Sequence, residues 1–324
     1  MDMENPWGII LTAAVGAGLP AAVFWFILLW QIRQRQKRSE RPPVAGKLLR
    51  PPGHTISNQL EACHERLLPY LAIMIAAGVI CAIMFTPTVR VLLSQDVRTG
   101  VERLGLRDYL LSREIMAELV PAVLLIVGGV CGVIWGAGKS LSLLEHMRGL
   151  HLGLRGEQCV GEALVETGAE GYRAFHDFPG GKTGNIDHVV VGPGGVFAIE
   201  TRTRSKNSER VSRGMKEYEV IYDGNALQFP WGVNREYLEQ ARRNAKFLSD
   251  FLAKSTGLQL RVNPVLVLPG WHVSVTNDAS KHEVQAMPGT MLTKYLRALP
   301  PRLSSQEIQQ VVSQLDLKCR DVEF

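Results

Sequence analysis

Three stretches of this chain run for about 20 residues or more without a charged side chain: Gly8 to Trp30, Leu67 to Val89 and Leu119 to Gly138. At about 1.5 Å of rise per helical residue, each is long enough to cross a hydrocarbon core of roughly 30 Å, and three membrane-spanning helices are expected. Past Lys139 the pattern changes to short apolar runs bounded by glycine, proline and asparagine. Ile186 to Val191 and Val196 to Thr201 flank Gly192-Pro193-Gly194-Gly195. That predicts a β-hairpin, because glycine tolerates positive φ and proline presets its own. Further strands are expected at 171–178, 219–222 and 262–268. Apolar residues at helical spacing predict helices over 141–154, 156–164, 232–257 and 290–299. Another is expected from Ser304, where Ser304-Ser305-Gln306-Glu307 has the spacing of a capping box.

These elements divide the chain into a helical membrane region, 1–138, a connecting helix, 139–154, and an α/β domain, 155–324. The spans lie at about 8–30, 67–89 and 119–138. Arg33, Arg35, Lys37, Arg38 and Arg41 follow the first span, and no lysine or arginine precedes it. The positive-inside rule therefore puts the N-terminus outside and the basic, Pro-containing linker 32–66 inside, as extended chain beside anionic headgroups of the lipid bilayer. By alternation, loop 90–118 is external and everything after Lys139 is cytoplasmic, a multi-pass inner-membrane arrangement. The external loop alternates charge with leucine, the pattern of a helix lying on the bilayer, on an unknown protein partner or on itself. In the third span Gly128, Gly132 and Gly136 form a ridge that admits a second helix, either within the chain or in a homo-oligomer.

Charge and cysteine content narrow the chemistry. The net charge is +5, but beyond residue 138 the 23 basic residues nearly balance 21 acidic ones. That is a weaker footprint than a dedicated DNA-binding domain carries. Five scattered cysteines, with no CxxC or Cys/His spacing, exclude a zinc ribbon and a disulfide framework.

The hairpin carries the candidate chemistry. With all four turn residues in the loop, Val191 faces Val196, and counting outward places Asp187 opposite Glu200, with Arg202 on the same face. Charge planted in Val/Ile/Phe strands costs desolvation energy, which a divalent cation shared by both carboxylates would offset. The pattern reads as a metal site with Asp187 and Glu200 as ligands. His188 points to the other face and reads as structural. Arg204 and Lys206 open a basic run that suits a phosphodiester backbone or, equally, a solvated loop.

The order Asp, apolar strand, glycine turn, apolar strand, Glu-x-basic resembles the PD-(D/E)xK nuclease superfamily. The string I-D-H-V-V-V-G-P-G-G-V-F-A-I-E-T, with G-E-x-x-V-x-x-x-L from Gly156 to Leu164, resembles the NERD, or nuclease-related, domain. The resemblance covers about 155–270. It implies a restriction-endonuclease-like α/β fold with a mixed central sheet flanked by helices, Mg2+ or Mn2+ as cofactor, and nucleic acid, DNA above all, as substrate. It also implies that Glu157 joins Asp187 and Glu200 in the active site, although its position taken alone more often marks a first-turn acid on a helix. The family has lysine two residues after the glutamate. Arg202 stands there in this chain, keeping the charge but not giving up its proton, so it suits stabilising developing charge and not acting as a base. Lys182, in the loop entering the Asp187 strand, is placed to replace that lysine or is simply solvated. Gln240, in Gln240-Ala241-x-x-Asn244-Ala245-x-x-Leu248, resembles a glutamine that the family sets near the site. Two functions follow: a membrane-anchored, metal-dependent nuclease, or a catalytically weak or inactive nucleic-acid-binding or assembly module in a DNA-transfer or defence complex. Arg202 in place of lysine favours the second.

Overall fold

A computed structural model of the chain describes residues 47–92, 102, 113–180, 184–206, 216–276 and 282–322. The expected first span at 8–30, Lys182, and residues 93–101 and 103–112 of the expected external loop 90–118 lie outside the described residues, while the two ends of that loop, 90–92 and 113–118, are helical. The described chain forms two compact units, one of residues 63–145 and one joining 44–62 to 146–324.

Two long helices, α1 (His54–Leu92) and α2 (Arg113–Val165), supply the first unit. Both are long and apolar enough to cross a membrane. Residues 54–66, expected within an extended linker, are helical instead. Gly53, at φ +76°, turns the chain into the helix, and no proline falls between it and Pro69, so the ladder can form across 54–66. Within this unit α2 meets α1 through Gly129, Gly132 and Gly136. A Cβ on Gly129 would lie 3.0 Å from the Ala77 carbonyl, and one on Gly136 would lie 3.3 Å from that of Tyr70. Gly128 faces open space, so the ridge is 129/132/136 and not 128/132/136, and its close approach is made within the chain. The Tyr70 and Trp135 rings pack edge to face beside it.

The second unit is the α/β domain. Its five-stranded mixed sheet has the order β10 (Gln285–Met287), β8 (Val262–Val267), β4 (Gly195–Thr201), β3 (Ile186–Gly192), β2 (Arg173–Phe178). β3 pairs antiparallel with both β2 and β4, whereas β4, β8 and β10 run parallel. Every residue of β3 and β4 is buried, as continuous Val/Ile/Phe runs covered on both faces require. One face packs Val189, Val191, Val196 and Ala198 against α3 (Glu236–Thr256) and α5 (Ser305–Cys319). The other packs Val190, Phe197 and Ile199 against Val160 and Leu164 of α2 and against α4 (Gly289–Arg297). The Ser304 capping box is present in full.

A second, four-stranded sheet was not expected from the sequence. Its order is β7 (Gly232–Asn234), β6 (Leu227–Phe229), β5 (Glu219–Tyr222), β9 (His272–Val275), and it packs on α3 through Leu238 and Ala241. The expected helix 232–257 therefore begins only at Glu236. Gly232 to Asn234 pair with β6, and the Asn234 side chain accepts the Tyr237 N–H that opens the helix. A two-stranded ribbon joins β1 (Leu48–Leu49) to β11 (Arg320–Val322), binding the segment that precedes α1 to the end of the chain.

The hairpin turn is tighter than expected. Gly192 and Gly195 pair with each other, which leaves Pro193-Gly194 as a two-residue loop without altering the register. A side chain at Gly192 would overlap the Tyr172 ring. The Tyr172 hydroxyl accepts from Gly194 N–H and donates to Leu296 O, while Pro193 O accepts from both Arg302 and Leu303 N–H.

Candidate active site

The carboxylates sit at the other end of this hairpin. Residue pairs from Gly192↔Gly195 to His188↔Ile199 continue to set Asp187 across from Glu200, as counting from the turn predicts. Asp187 is 9% exposed and Glu200 1%. Asp187 Oδ2 accepts the Thr201 N–H at 2.7 Å, so one acid is tied to the strand that carries the other. Glu200 Oε2 accepts from Asn244 Nδ2 at 2.7 Å, and its Oε1 lies 2.5 Å from Arg202 Nη2. That Oε1 atom is buried and pairs with the guanidinium by charge alone, outside hydrogen-bond geometry. Arg202 in turn donates to Gln240 Oε1 at 2.6 Å and lies over the Tyr237 ring. Gln240 and Asn244, four residues apart, present one face of α3 to the pair.

Glu157 joins them from α2 and is buried. It stands beside Gly156, where an added Cβ would overlap Thr203 Cγ2, and Thr203 Oγ1 donates to Leu152 O. Glycine at this position lets the helix touch the chain just after β4, and the next residue enters the site. Burial, then the Asp187 and Asp177 charges, push the Glu157 carboxyl up to about 8. Burial likewise lifts Asp187 to about 6 against the pull of Arg202 and the Thr201 N–H. Glu200 is held well above the ordinary carboxylate range by burial and by Asp187, with Arg202 and Asn244 opposing. Among the described residues, these three crowded acids share one nearby guanidinium.

That shortage of positive charge is the observation that bears on metal binding. Among the described residues no group of three or more His, Cys, Asp or Glu side chains is arranged to enclose an ion. Mg2+ does not need such a cage. It commonly takes one or two carboxylates and completes its shell with water and phosphate oxygens. Asp187 and Glu200 fit that role, the more so because Glu200 Oε1 has no hydrogen bond of its own.

The remaining expected residues fall differently. Gln240 holds Arg202. Arg204 and Lys206 are exposed, with the Arg204 guanidinium 5.0 Å from the Phe229 ring centre and 5.5 Å from that of Trp231, and the Lys206 ammonium 5.9 Å from that of Trp271. His188 lies on the far face, 2.8 Å from His176 Nδ1 through its own Nδ1.

Several residues at the site were not expected. Asn244 stood inside the quoted Gln240 string, and its helical spacing from Gln240 could have found it. Asp177 is buried on β2 at φ +53°. It accepts from Arg50, Thr55 and Asn185, and nothing local in the sequence signals those partners.

No curated protein and no solved structure matches the chain. A family match does exist: residues 152–269, which contain Glu157, Asp187, Glu200, Arg202, Gln240 and Asn244, match NERD, the nuclease-related domain.

Proposed function

We propose that this protein is a membrane-anchored, metal-dependent nuclease that hydrolyses phosphodiester bonds of nucleic acid. The observation that carries this reading is the burial of Asp187, Glu200 and Glu157 around one guanidinium among the described residues, inside the stretch that matches a nuclease-related domain. Structural acids are rarely buried in excess of their partners, because each uncompensated charge costs several kcal/mol, on the order of the whole effective desolvation penalty. Mg2+ or Mn2+ held by Asp187 and Glu200 would neutralise them and polarise the phosphoryl group. Thr201 N–H and Asn244 hold the two carboxylates in place, and Arg202, once displaced from Glu200, supplies positive charge for a phosphate oxygen. Glu157 is placed to exchange a proton with attacking water or leaving group. The two apolar helices support the anchor.

The test uses the full chain in detergent with plasmid or linear DNA and Mg2+ or Mn2+, beside Asp187→Ala and Glu200→Ala. Cleavage by the parent and its loss of at least about 100-fold in both variants is the expected result. DNA binding without cleavage would instead establish the second reading, a binding or assembly module. Arg202 favours that reading, since it is fully engaged by Glu200 and Gln240 and cannot serve as a base. Arg202→Lys then asks whether activity returns.

A further inference from the structure

The residues flanking Asp177 pair as His176↔His188 and Phe178↔Ile186, so the ladder sets Asp177 across from Asp187, which itself faces Glu200. Three acids in a row on adjacent strands would repel one another. At one of them the backbone leaves the strand conformation. Asp177 has φ +53°, the only positive value outside glycine among the described residues. Strain of this kind persists only where the surroundings over-determine it. The surroundings here are specific. Asp177 Oδ2 accepts from Thr55 Oγ1 at 2.7 Å and from Thr55 N–H at 3.1 Å, and Oδ1 accepts from Asn185 Nδ2 at 3.1 Å. Asn185 also donates to Thr55 Oγ1 at 2.6 Å. Arg50 donates to Asp177 O at 2.8 Å and holds Asp321 through two bonds of 2.6 and 2.7 Å.

We infer that Asp177 is a positioning residue: it clamps residues 50–55, the approach to α1, onto the chain entering β3, and so fixes where Asp187 presents its carboxylate. Asn185 lies two residues before Asp187, and a shift at its amide is delivered directly to the metal-binding strand. Gly53, the residue just before α1, lies beside the Glu157 carboxylate, where an added Cβ would sit 3.7 Å from its Oε2. Residues 50–55 lie about a hundred positions before the family match begins at residue 152, yet they complete the support of its acids.

This inference rests on the nuclease reading for its catalytic arm only. In the full chain, Thr55→Val removes the hydroxyl with little change of shape, and Thr55→Ser restores it. If the parent cleaves DNA, Thr55→Val is expected to lower kcat about tenfold with KM unchanged, and Thr55→Ser to stay near the parent. Hydrogen exchange, read by mass spectrometry on the peptide covering 185–201, supplies an arm independent of catalysis. Faster exchange confined to that peptide is expected in Thr55→Val and not in Thr55→Ser. Where Thr55→Val fails to fold, Asn185→Ala carries the same expectations. Unchanged exchange and kcat, a change in KM alone, or a rise in exchange spread evenly over the chain would each overturn the positioning role. A parent inactive on every substrate, with the exchange result as expected, would sink the nuclease reading and leave the clamp standing.

Discussion

Glu200 is the residue on which most of the local energetics turn. It has 1% exposure and two partners, the Asn244 amide and the Arg202 guanidinium, and water cannot replace either. Asn244→Leu is therefore expected to destabilise the protein by about 1–3 kcal/mol, measured by denaturant unfolding, because a buried acceptor is left unmade and no similar volume is lost. The shifted acids also set a pH dependence. Glu157 holds its proton to about 8 in the folded protein and to an ordinary 4.5 in the unfolded chain. The folded state thus binds more protons across that window, and stability falls as pH rises through it. Asp187 adds the same sign up to about 6. The half-buried His176, lowered to about 4, and the buried His188, also lowered, oppose this, but only below their ordinary 6.5. Between pH 6.5 and 8 the carboxylates act alone. The metal-free protein should show a falling thermal midpoint over that interval, and millimolar Mn2+ should remove most of the fall. A flat profile would mean that these acids are not charge-strained.

At the scale of elements, the hairpin was legible from sequence because its turn chemistry leaves one register, and a one-residue slip would turn Asp187 to the opposite face from Glu200. Even the misjudged loop length did no damage: Gly192 and Gly195 join the ladder symmetrically, so Asp187 still meets Glu200. The second sheet was hidden for the opposite reason. β6 and β7 are three residues each, too short for a period, and β9 pairs in parallel with β5 across some fifty residues of chain. Asp177 escaped because its role depends on a backbone angle and on partners such as Arg50, 127 residues away. The approach of α2 to the site makes a further expectation. Gly156→Ala would drive a methyl into Thr203, costing about 1–3 kcal/mol in unfolding experiments and pushing Glu157 away from the pair. A cleavage rate that fell by no more than stability explains would show that Glu157 is peripheral.

At the scale of the whole molecule, the family match and the folded unit do not coincide. The match begins at residue 152, while the α/β unit also takes in 44–62, with β1 paired to β11 and Arg50 bonded to Asp177 and Asp321. A fragment cut at the family boundary discards those contacts, so it is a poor reagent for judging activity. The apolar helices make a separate expectation: the full chain should stay with the membrane pellet after alkaline carbonate extraction, and its release would count against the anchor. One last feature bears on how the protein can be handled. Most hairpin tips tolerate a tag or a permuted terminus, but Pro193-Gly194 is stitched on both sides, to Tyr172 and to the backbone of Arg302 and Leu303. A fluorophore or affinity peptide inserted there would unpick the seam that closes the sheet onto the C-terminal helices, and labels belong elsewhere.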